Sequence, residues 1–238
     1  MNLEMTERLQ FPQHSDLLAT LFPTGVLTAQ LSGNADRSCL LPEELALISG
    51  VAPKRASDFI AGRCCARFLL ADLDLQHLPV LTGPDREPLW PDLVTGSITH
   101  TAGFCGVVIA ERVRFKSIGL DTESATAVDT DILHHVCTPQ EAEWIEALPL
   151  QDRQRASSLI FSAKEAFFKC QFPITGRWVG FEEVAIRVGE GELADHGTLH
   201  VQPLQPLAFD NDLCSALICR YRFHDDWVSV GVSLQNDQ

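Results

Sequence analysis

The segment Ile118-Gly119-Leu120-Asp121-Thr122-Glu123 is an apolar run that ends in two carboxylates two positions apart. In an extended strand, alternation places Asp121 and Glu123 on one face and Thr122 on the other. Gly119 has no Cβ, so a neighbouring backbone or a ligand can approach the strand closely. Two carboxylates on one face repel each other unless a positive charge lies between them. A hard divalent cation such as Mg²⁺ fits, because it takes oxygen ligands and often only one or two protein carboxylates. A strand that runs out into a solvated acidic loop is the alternative.

A second stretch, from Leu159 to Lys169, has apolar and charged residues at helical spacing, without Gly or Pro. Glu165 and Lys169 lie four positions apart, so they share one face of the helix in the favourable order. A surface ion pair worth a few tenths of a kcal/mol is one interpretation. Small alanines and bulky phenylalanines around the pair instead favour a buried helix, in which a charge needs a partner or a metal.

Together, Gly119–Glu123 and Phe161–Lys169 resemble the two signature motifs of the Sfp-type 4'-phosphopantetheinyl transferases, nearest to the enterobactin synthase component D branch. The one departure is Phe161, which stands where many relatives have Trp. The resemblance covers the chain from about Lys54 to its C-terminus. It implies an α+β fold of two similar subdomains, related by a pseudo-twofold axis, with the active site between them. We predict an N-terminal subdomain at 1–114, with the coenzyme A-binding residues, and a C-terminal subdomain at 115–238, with the metal site.

The resemblance implies an enzyme that transfers the 4'-phosphopantetheine of coenzyme A to a serine of an apo acyl or peptidyl carrier protein, releasing adenosine 3',5'-bisphosphate. Asp121, Glu123 and Glu165 would hold Mg²⁺, or Mn²⁺ in its place. Glu165 would take the serine proton, directly or through a water, and Lys169 would stabilise the transferring phosphate or protonate the leaving group. A non-catalytic coenzyme A-binding module and a metal-dependent phosphohydrolase are the alternatives. Siderophore, peptide and fatty-acid synthesis all stay open as the pathway.

The segment from Lys54 to Leu70 is predicted to be a helix on which three arginines fall within a sector of about 120°. Three guanidiniums on one side of an acidic protein suggest an anion site, although an ordinary basic helix face is the alternative. The resemblance implies that Arg55 and Arg63 face the 3'-phosphate of coenzyme A, whereas Arg67 is left open as a structural residue. Gly62 costs about 1 kcal/mol relative to Ala in mid-helix, so we expect a close neighbour there.

Further coenzyme A contacts are predicted from the resemblance. Arg86 lies in a turn-rich loop whose basic residue would reach a phosphate. Thr99 and His100 precede the strand from Phe104 to Ala110, and the His would contact the pyrophosphate. A hydrogen-bonded structural His at a strand end is the alternative. Lys164 is placed in the same coenzyme A-binding set.

The composition excludes several classes of protein. The 238 residues carry a net charge of -14 and the pI is about 4.9, which argues against non-specific binding to nucleic acid or to an anionic membrane. No apolar run approaches the ~18 residues of a membrane span. Met1–Glu7 has neither the basic nor the apolar region of a signal peptide. Since the eight cysteines have no framework spacing, we predict reduced, buried thiols in a cytoplasmic protein. We also expect a monomer.

The acidic balance also constrains the partner. Carrier proteins are generally acidic, as the family resemblance implies, so bulk attraction cannot drive their encounter with a chain at -14. Recognition then needs a local apolar or basic patch. We predict the segment from Thr126 through Ile132 to Val136 as that patch. A mobile loop followed by a packed helix start is the alternative.

Overall fold

The structure is a computed structural model that describes residues 9–128, 133–189, 193–205 and 216–236. In these ranges the chain forms a four-stranded sheet, a five-stranded sheet and a two-stranded ribbon, all antiparallel, with helices packed against the two large sheets. The predicted α+β class is therefore confirmed. None of the described helices combines the length and the apolar character needed to cross a bilayer.

The first sheet contains the strands of the N-terminal half. In spatial order they are β1 (Gln13–His14), β2 (Val26–Ser32), β6 (Phe104–Glu111) and β5 (Val94–Thr101). The helices of this half are α1 (Asp16–Ala19), α2 (Pro42–Ala46) and α3 (Pro53–Ala71), and the ribbon pairs β3 (Leu81–Thr82) with β4 (Pro88–Leu89). The apolar face of α3, including Cys65, Leu69 and Leu70, packs on the sheet residues Val107 and Ile109.

The second sheet contains the strands of the C-terminal half. In spatial order they are β7 (Phe115–Ser124), β11 (Trp227–Gln235), β10 (Ile218–His224), β9 (His196–Pro203) and β8 (Val184–Val188). Its helices are α4 (Leu133–Val136), α5 (Pro139–Ala147) and α6 (Leu150–Thr175). The run Thr138-Pro139-Gln140-Glu141 predicts a helix start, with an N-cap Thr, Pro at the first position and Glu at the third. Thr138 does cap α5, because its hydroxyl accepts from the Glu141 N–H while the Glu141 carboxylate accepts from the Thr138 N–H.

The two halves repeat one connectivity. In each half, a first strand leads to a long helix, and the last strand of the half pairs with that first strand. The next-to-last strand then pairs with the other edge of the last strand. This gives β2–β6–β5 with α3 in one half and β7–β11–β10 with α6 in the other. The first sheet ends at Glu111 and the second begins at Phe115. The boundary between residues 114 and 115 stays our proposed division.

The halves are joined by a shared core. Leu18 and Val108 from the N-terminal half and Phe115 and Leu120 from the C-terminal half belong to one buried cluster. In addition, β5 lies beside β7 although the two strands belong to different sheets, and side-chain hydroxyls of β5 make hydrogen bonds to β7. The junction therefore places the end of β5 next to the two carboxylates of β7.

One prediction about the cysteines is wrong. Cys39 and Cys64 form a disulfide with their Cα atoms 5.6 Å apart, which ties the short turn at Arg37–Cys39 to α3. The other cysteines in the described part of the chain are free and buried, as predicted: Cys65, Cys105, Cys137, Cys170 and Cys219. The pair escaped the sequence analysis because only the fold brings positions 39 and 64 together.

Candidate active site

Gly119 sets the distance between α6 and β7. A Cβ added at Gly119 would lie 2.0 Å from the Ala166 carbonyl oxygen and 2.8 Å from the Cys170 amide nitrogen, and both atoms are helix backbone. The absence of a side chain therefore lets α6 lie directly on the strand. The close approach predicted from the sequence is found, and the approaching group is the helix that carries Glu165 and Lys169.

The approach of α6 produces an ion pair at the end of the strand. Lys169 Nζ donates to Asp121 Oδ1 at 2.6 Å and to the Leu120 carbonyl oxygen at 3.2 Å. Thr99 Oγ1 lies 3.3 Å from the same Asp121 oxygen. The other oxygen, Oδ2, is buried and has no hydrogen-bond partner among the described residues. Because a buried carboxylate oxygen normally has a partner, Oδ2 is a candidate ligand atom.

The two neighbouring carboxylates hold their protons more tightly than usual. Burial, followed by the charge of Asp121, raises the pKa of Glu123 to about 7. Burial also raises the pKa of Glu165, against the lowering effect of Lys169. Concentrated negative charge with a single cation nearby is the electrostatic situation that a divalent metal relieves.

The three carboxylates nevertheless do not form a ready-made cage. Among the described residues, no three His, Cys, Asp or Glu side chains converge closely enough to hold a metal by themselves. An open arrangement still fits Mg²⁺, which keeps several waters and takes phosphate oxygens alongside one or two carboxylates. The free Oδ2 of Asp121, with Glu123 and Glu165 close by, supplies the all-oxygen donor set that such an ion prefers.

A cavity of about 650 Å³ opens beside Glu165 and Lys169, between α3 and α6. Its ionisable lining residues come from both halves of the chain: Arg55, Asp58, Arg63, Asp85, Arg86, Glu87, His100, Glu165 and Lys169. Arg55 and Arg86 are exposed, and their side chains have no hydrogen-bond or ion-pair partner in the described ranges. These two guanidiniums are therefore free to bind an anion.

Arg63 and Arg67 are committed to the protein. Arg63, buried against the ring of Phe59, donates from Nε to the Val80 carbonyl at 2.5 Å and from Nη2 to Leu81 and Thr82. Burial lowers its pKa to about 10. Arg63 lines the cavity, but most of its donors hold the loop that leads into β3, and its contact with the 3'-phosphate stays a prediction.

Arg67 has no role at the cavity. It forms a two-oxygen contact of 2.6 Å with the fully buried carboxylate of Glu44 and donates to the carbonyls of Cys39 and Gln76. Glu44 in turn accepts from the Val80 N–H at 2.8 Å. Arg67 is thus the structural residue that the sequence left open, and Glu44 is its partner.

His100 faces the cavity from the end of β5. Its Nε2 is buried and has no hydrogen-bond partner among the described residues, and burial lowers its pKa to about 4. A Cβ at Gly62 would lie 3.0 Å from this nitrogen. The expectation that Gly62 admits a close neighbour is met, and the neighbour is His100.

Two residues predicted to bind coenzyme A do not line this cavity. Thr99 is buried between β5 and β7, where its hydroxyl bonds to the Thr122 N–H and to Asp121. The Lys164 ammonium is buried and makes three contacts, with Glu141 Oε2 at 2.7 Å and with the carbonyls of Val136 and Phe181. Since its three N–H donors all have partners, Lys164 is withdrawn as a coenzyme A contact.

The apolar wall of the cavity was not predicted from the sequence. The ring centroid of Phe168 lies 5.2 Å from that of Phe172, in a stacked arrangement, and 4.9 Å from that of Trp178, in an edge contact. Trp178 is 73% exposed, which is unusual for so large an apolar side chain. The i, i+4 spacing of the two phenylalanines was the available signal, but it also fits a helix buried in the core.

The predicted carrier-docking segment is only partly described. Residues 129–132, which include Ile132, lie outside the described residues. Of the apolar residues that follow, Leu133 and Val136 are buried in the core. These two side chains are therefore not available to a partner, and the docking role of the rest stays a prediction.

Comparison with known proteins gives consistent matches. Two family models match, the 4'-phosphopantetheinyl transferase N-terminal domain at residues 43–110 and the 4'-phosphopantetheinyl transferase superfamily at residues 117–204. The 4'-phosphopantetheinyl transferase Npt of Nocardia iowensis is 35% identical over 193 residues, which are 80% of this chain and 86% of the relative. Enterobactin synthase component D of Escherichia coli K12 is 35% identical over 118 residues, which are 49% of this chain and 54% of the relative. The solved holo-[acyl-carrier-protein] synthase of Thermotoga maritima has a TM-score of 0.40 at 18% identity, covering 51% of this chain and 64% of that one.

Proposed function

Because the chain belongs to the 4'-phosphopantetheinyl transferase superfamily, we propose that the cavity between α3 and α6 binds coenzyme A and presents its pyrophosphate to Glu165, Lys169 and Asp121. The enzymes of this family transfer 4'-phosphopantetheine from coenzyme A to a serine of a carrier protein. One observation supports this assignment of the site. The free guanidiniums of Arg55 and Arg86, from the N-terminal half, line the same cavity as Glu165 and Lys169 on α6, from the C-terminal half.

Coenzyme A has a chemistry that matches this lining. Its phosphates would contact Arg55 and Arg86, with whatever donor capacity Arg63 retains, because guanidiniums offer paired donors to phosphate oxygens. His100 Nε2, which is otherwise unpartnered, would bond to a pyrophosphate oxygen. The uncharged pantetheine arm suits the apolar wall formed by Phe168 and its neighbours.

The proposed reaction is a displacement at the β-phosphorus of coenzyme A. The carrier serine oxygen forms the new P–O bond, the pyrophosphate P–O bond breaks, and adenosine 3',5'-bisphosphate leaves. Glu165, with its raised pKa, takes the serine proton directly or through a water. Lys169 has donors to Asp121 and Leu120, which leaves one N–H to stabilise the transferring phosphate or to protonate the leaving group.

We propose that Asp121, Glu123 and Glu165 hold Mg²⁺, for which Mn²⁺ is a chemically similar substitute. When bound, such an ion neutralises charge that develops on the pyrophosphate oxygens. The support for this assignment is the free Oδ2 of Asp121, together with the burial and the neighbouring charge of Asp121 that raise the pKa of Glu123.

We propose an acyl or peptidyl carrier protein of siderophore or peptide synthesis as the partner, and a cytoplasmic monomer as the working form. The family membership supports a transferase over a non-catalytic coenzyme A-binding module or a phosphohydrolase. The Cys39–Cys64 disulfide is an observation against the cytoplasmic location, because disulfides are rare in a reducing cytosol.

The test is to follow adenosine 3',5'-bisphosphate release from coenzyme A and Mg²⁺, with an apo carrier protein and with the same carrier in which the acceptor serine is alanine. A transferase releases the nucleotide only with the serine-bearing carrier. Equal release with both carriers, or without any, would instead indicate a phosphohydrolase, and binding of coenzyme A with no release would indicate a binding module.

A further inference from the structure

Three hydroxyl side chains occupy alternate positions of β5 and reach across to β7. Ser97 Oγ accepts from the Leu120 N–H at 3.0 Å, Thr99 Oγ1 accepts from the Thr122 N–H at 2.9 Å, and Thr101 Oγ1 lies 3.5 Å from a carboxylate oxygen of Glu123. We call Ser97, Thr99 and Thr101 the hydroxyl ladder. Because β5 and β7 belong to different sheets, the ladder makes the hydrogen bonds that a shared sheet would otherwise provide.

Thr99, the middle residue of the hydroxyl ladder, makes hydrogen bonds of defined direction. Thr99 is 1% exposed, so water cannot satisfy its hydroxyl. Its oxygen accepts from the Thr122 N–H, and its hydroxyl proton is directed to Asp121 Oδ1, 3.3 Å away. Lys169 donates to the same Oδ1 at 2.6 Å. Two donors therefore hold one oxygen of this carboxylate and leave Oδ2 without a partner among the described residues.

We propose that Thr99 is a positioning residue, which orients Asp121 so that Oδ2 is presented to the metal. The role rests on the proposed metal site, and it replaces the coenzyme A contact expected for Thr99 from the sequence. Because Oδ1 is held by two donors, the carboxylate of Asp121 cannot rotate, and Oδ2 keeps one position. Oδ2 is therefore already oriented toward the metal position when the metal and coenzyme A bind. Outer hydrogen bonds of this kind typically affect metal affinity by about 10- to 100-fold.

The surroundings of Thr99 allow a shape-conserving test. Its methyl group packs close to β6, since a Cβ at Gly106 would lie 3.1 Å from Thr99 Cγ2. Thr99→Val keeps both branches of the side chain and removes the hydroxyl, whereas Thr99→Ser keeps the hydroxyl and removes the methyl. Thr28→Val is the matched control, because the buried Thr28 hydroxyl donates to the Ser15 carbonyl at 2.7 Å, on a strand without site residues.

The experiment measures Mn²⁺ affinity by electron paramagnetic resonance of the free ion, with coenzyme A bound and no carrier present. Coenzyme A affinity without metal is measured in parallel. We expect Thr99→Val to weaken Mn²⁺ binding about 10- to 100-fold with coenzyme A affinity within twofold of wild type, and Thr99→Ser and Thr28→Val to bind Mn²⁺ like the wild type.

Four results would overturn the proposal. Wild-type Mn²⁺ affinity in Thr99→Val, or a loss in Thr99→Ser as large as in Thr99→Val, would show that the hydroxyl does not position Asp121. A parallel loss of coenzyme A affinity in Thr99→Val would return Thr99 to a substrate contact. If the wild-type complex with coenzyme A binds no Mn²⁺, the proposed metal site itself fails and the role of Thr99 fails with it.

Discussion

Replacing Gly119 by alanine is expected to push α6 off the strand that carries the carboxylates. The new Cβ would lie 2.0 Å from the Ala166 carbonyl oxygen and 2.8 Å from the Cys170 nitrogen. Neither atom can turn aside, because both belong to the helix backbone, so the helix must move by about 1.5 Å to restore ordinary contact distances. Overpacking of this kind costs about 1–3 kcal/mol. In a chain of this size, a cost of about 2 kcal/mol lowers the Tm by roughly 4–8 °C.

The same shift should affect catalysis more than stability. It would carry Glu165 and Lys169 away from Asp121, and a misplacement of about 1 Å can cost about 100-fold in rate. The assay is the steady-state rate of carrier modification, measured below the Tm of the variant. Gly189→Ala is the control, because the nearest described atom to its new Cβ is 3.6 Å away. A Gly119→Ala protein with a Tm and a rate within error of Gly189→Ala would refute this explanation of the site geometry.

Three further predictions follow from individual contacts. Between pH 7 and pH 5 the wild type should lose about 2 kcal/mol more unfolding free energy than His100→Gln. The unfolded chain takes up the proton at the ordinary His pKa of about 6.5, whereas burial in the folded chain lowers the pKa of His100 to about 4. Equal pH slopes in denaturant titrations of the two proteins would contradict this. Arg55→Ala should weaken the binding of coenzyme A about 10- to 100-fold and that of dephospho-coenzyme A much less. Lys54→Ala removes the same charge outside the cavity lining and should change neither affinity. Equal losses of affinity in both variants, measured by calorimetry, would indicate a non-specific charge effect. Lys164→Met should destabilise the fold by about 3–5 kcal/mol, because it leaves Glu141 as a buried unpaired charge. The coenzyme A affinity of the folded fraction should not change. A loss of affinity without a loss of stability would restore the predicted binding role of Lys164.

The elements that carry the site were predictable because their signals are local. The helix at Lys54–Leu70 and the capping box at Thr138 follow from spacing and end chemistry, and both are found. The sequence also predicts a loop from Pro173 to Trp178, and its start is wrong. The helix continues through Pro173 and ends where Gly176 adopts a φ of 61°. A proline in the last turn loses one hydrogen bond, which packing of the preceding turns can offset.

The errors at the site have a common physical origin. Lys164 and Glu165 are neighbours on a helix, so their side chains point about 100° apart, and only Glu165 can face the carboxylates while Lys164 faces α5. Thr99 and His100 are neighbours on a strand and lie on opposite faces, so that one contacts Asp121 while the other lines the cavity. A motif groups such residues together, but the faces on which they lie follow from the periodicity of the element. Contacts such as Glu44–Arg67 and Cys39–Cys64 depend on tertiary packing and leave no comparable local signal.

The most direct test of the central claim is the mass of an apo carrier domain after incubation with coenzyme A and Mg²⁺, using the wild type, Asp121→Asn and Asp92→Asn. Asp92 is exposed and lies outside the cavity lining, so it controls for the loss of one carboxylate. We predict that the carrier gains the mass of one phosphopantetheinyl group with the wild type and with Asp92→Asn, and none with Asp121→Asn over the same interval. An unmodified carrier with the wild type, or a fully modified carrier with Asp121→Asn, would contradict the account.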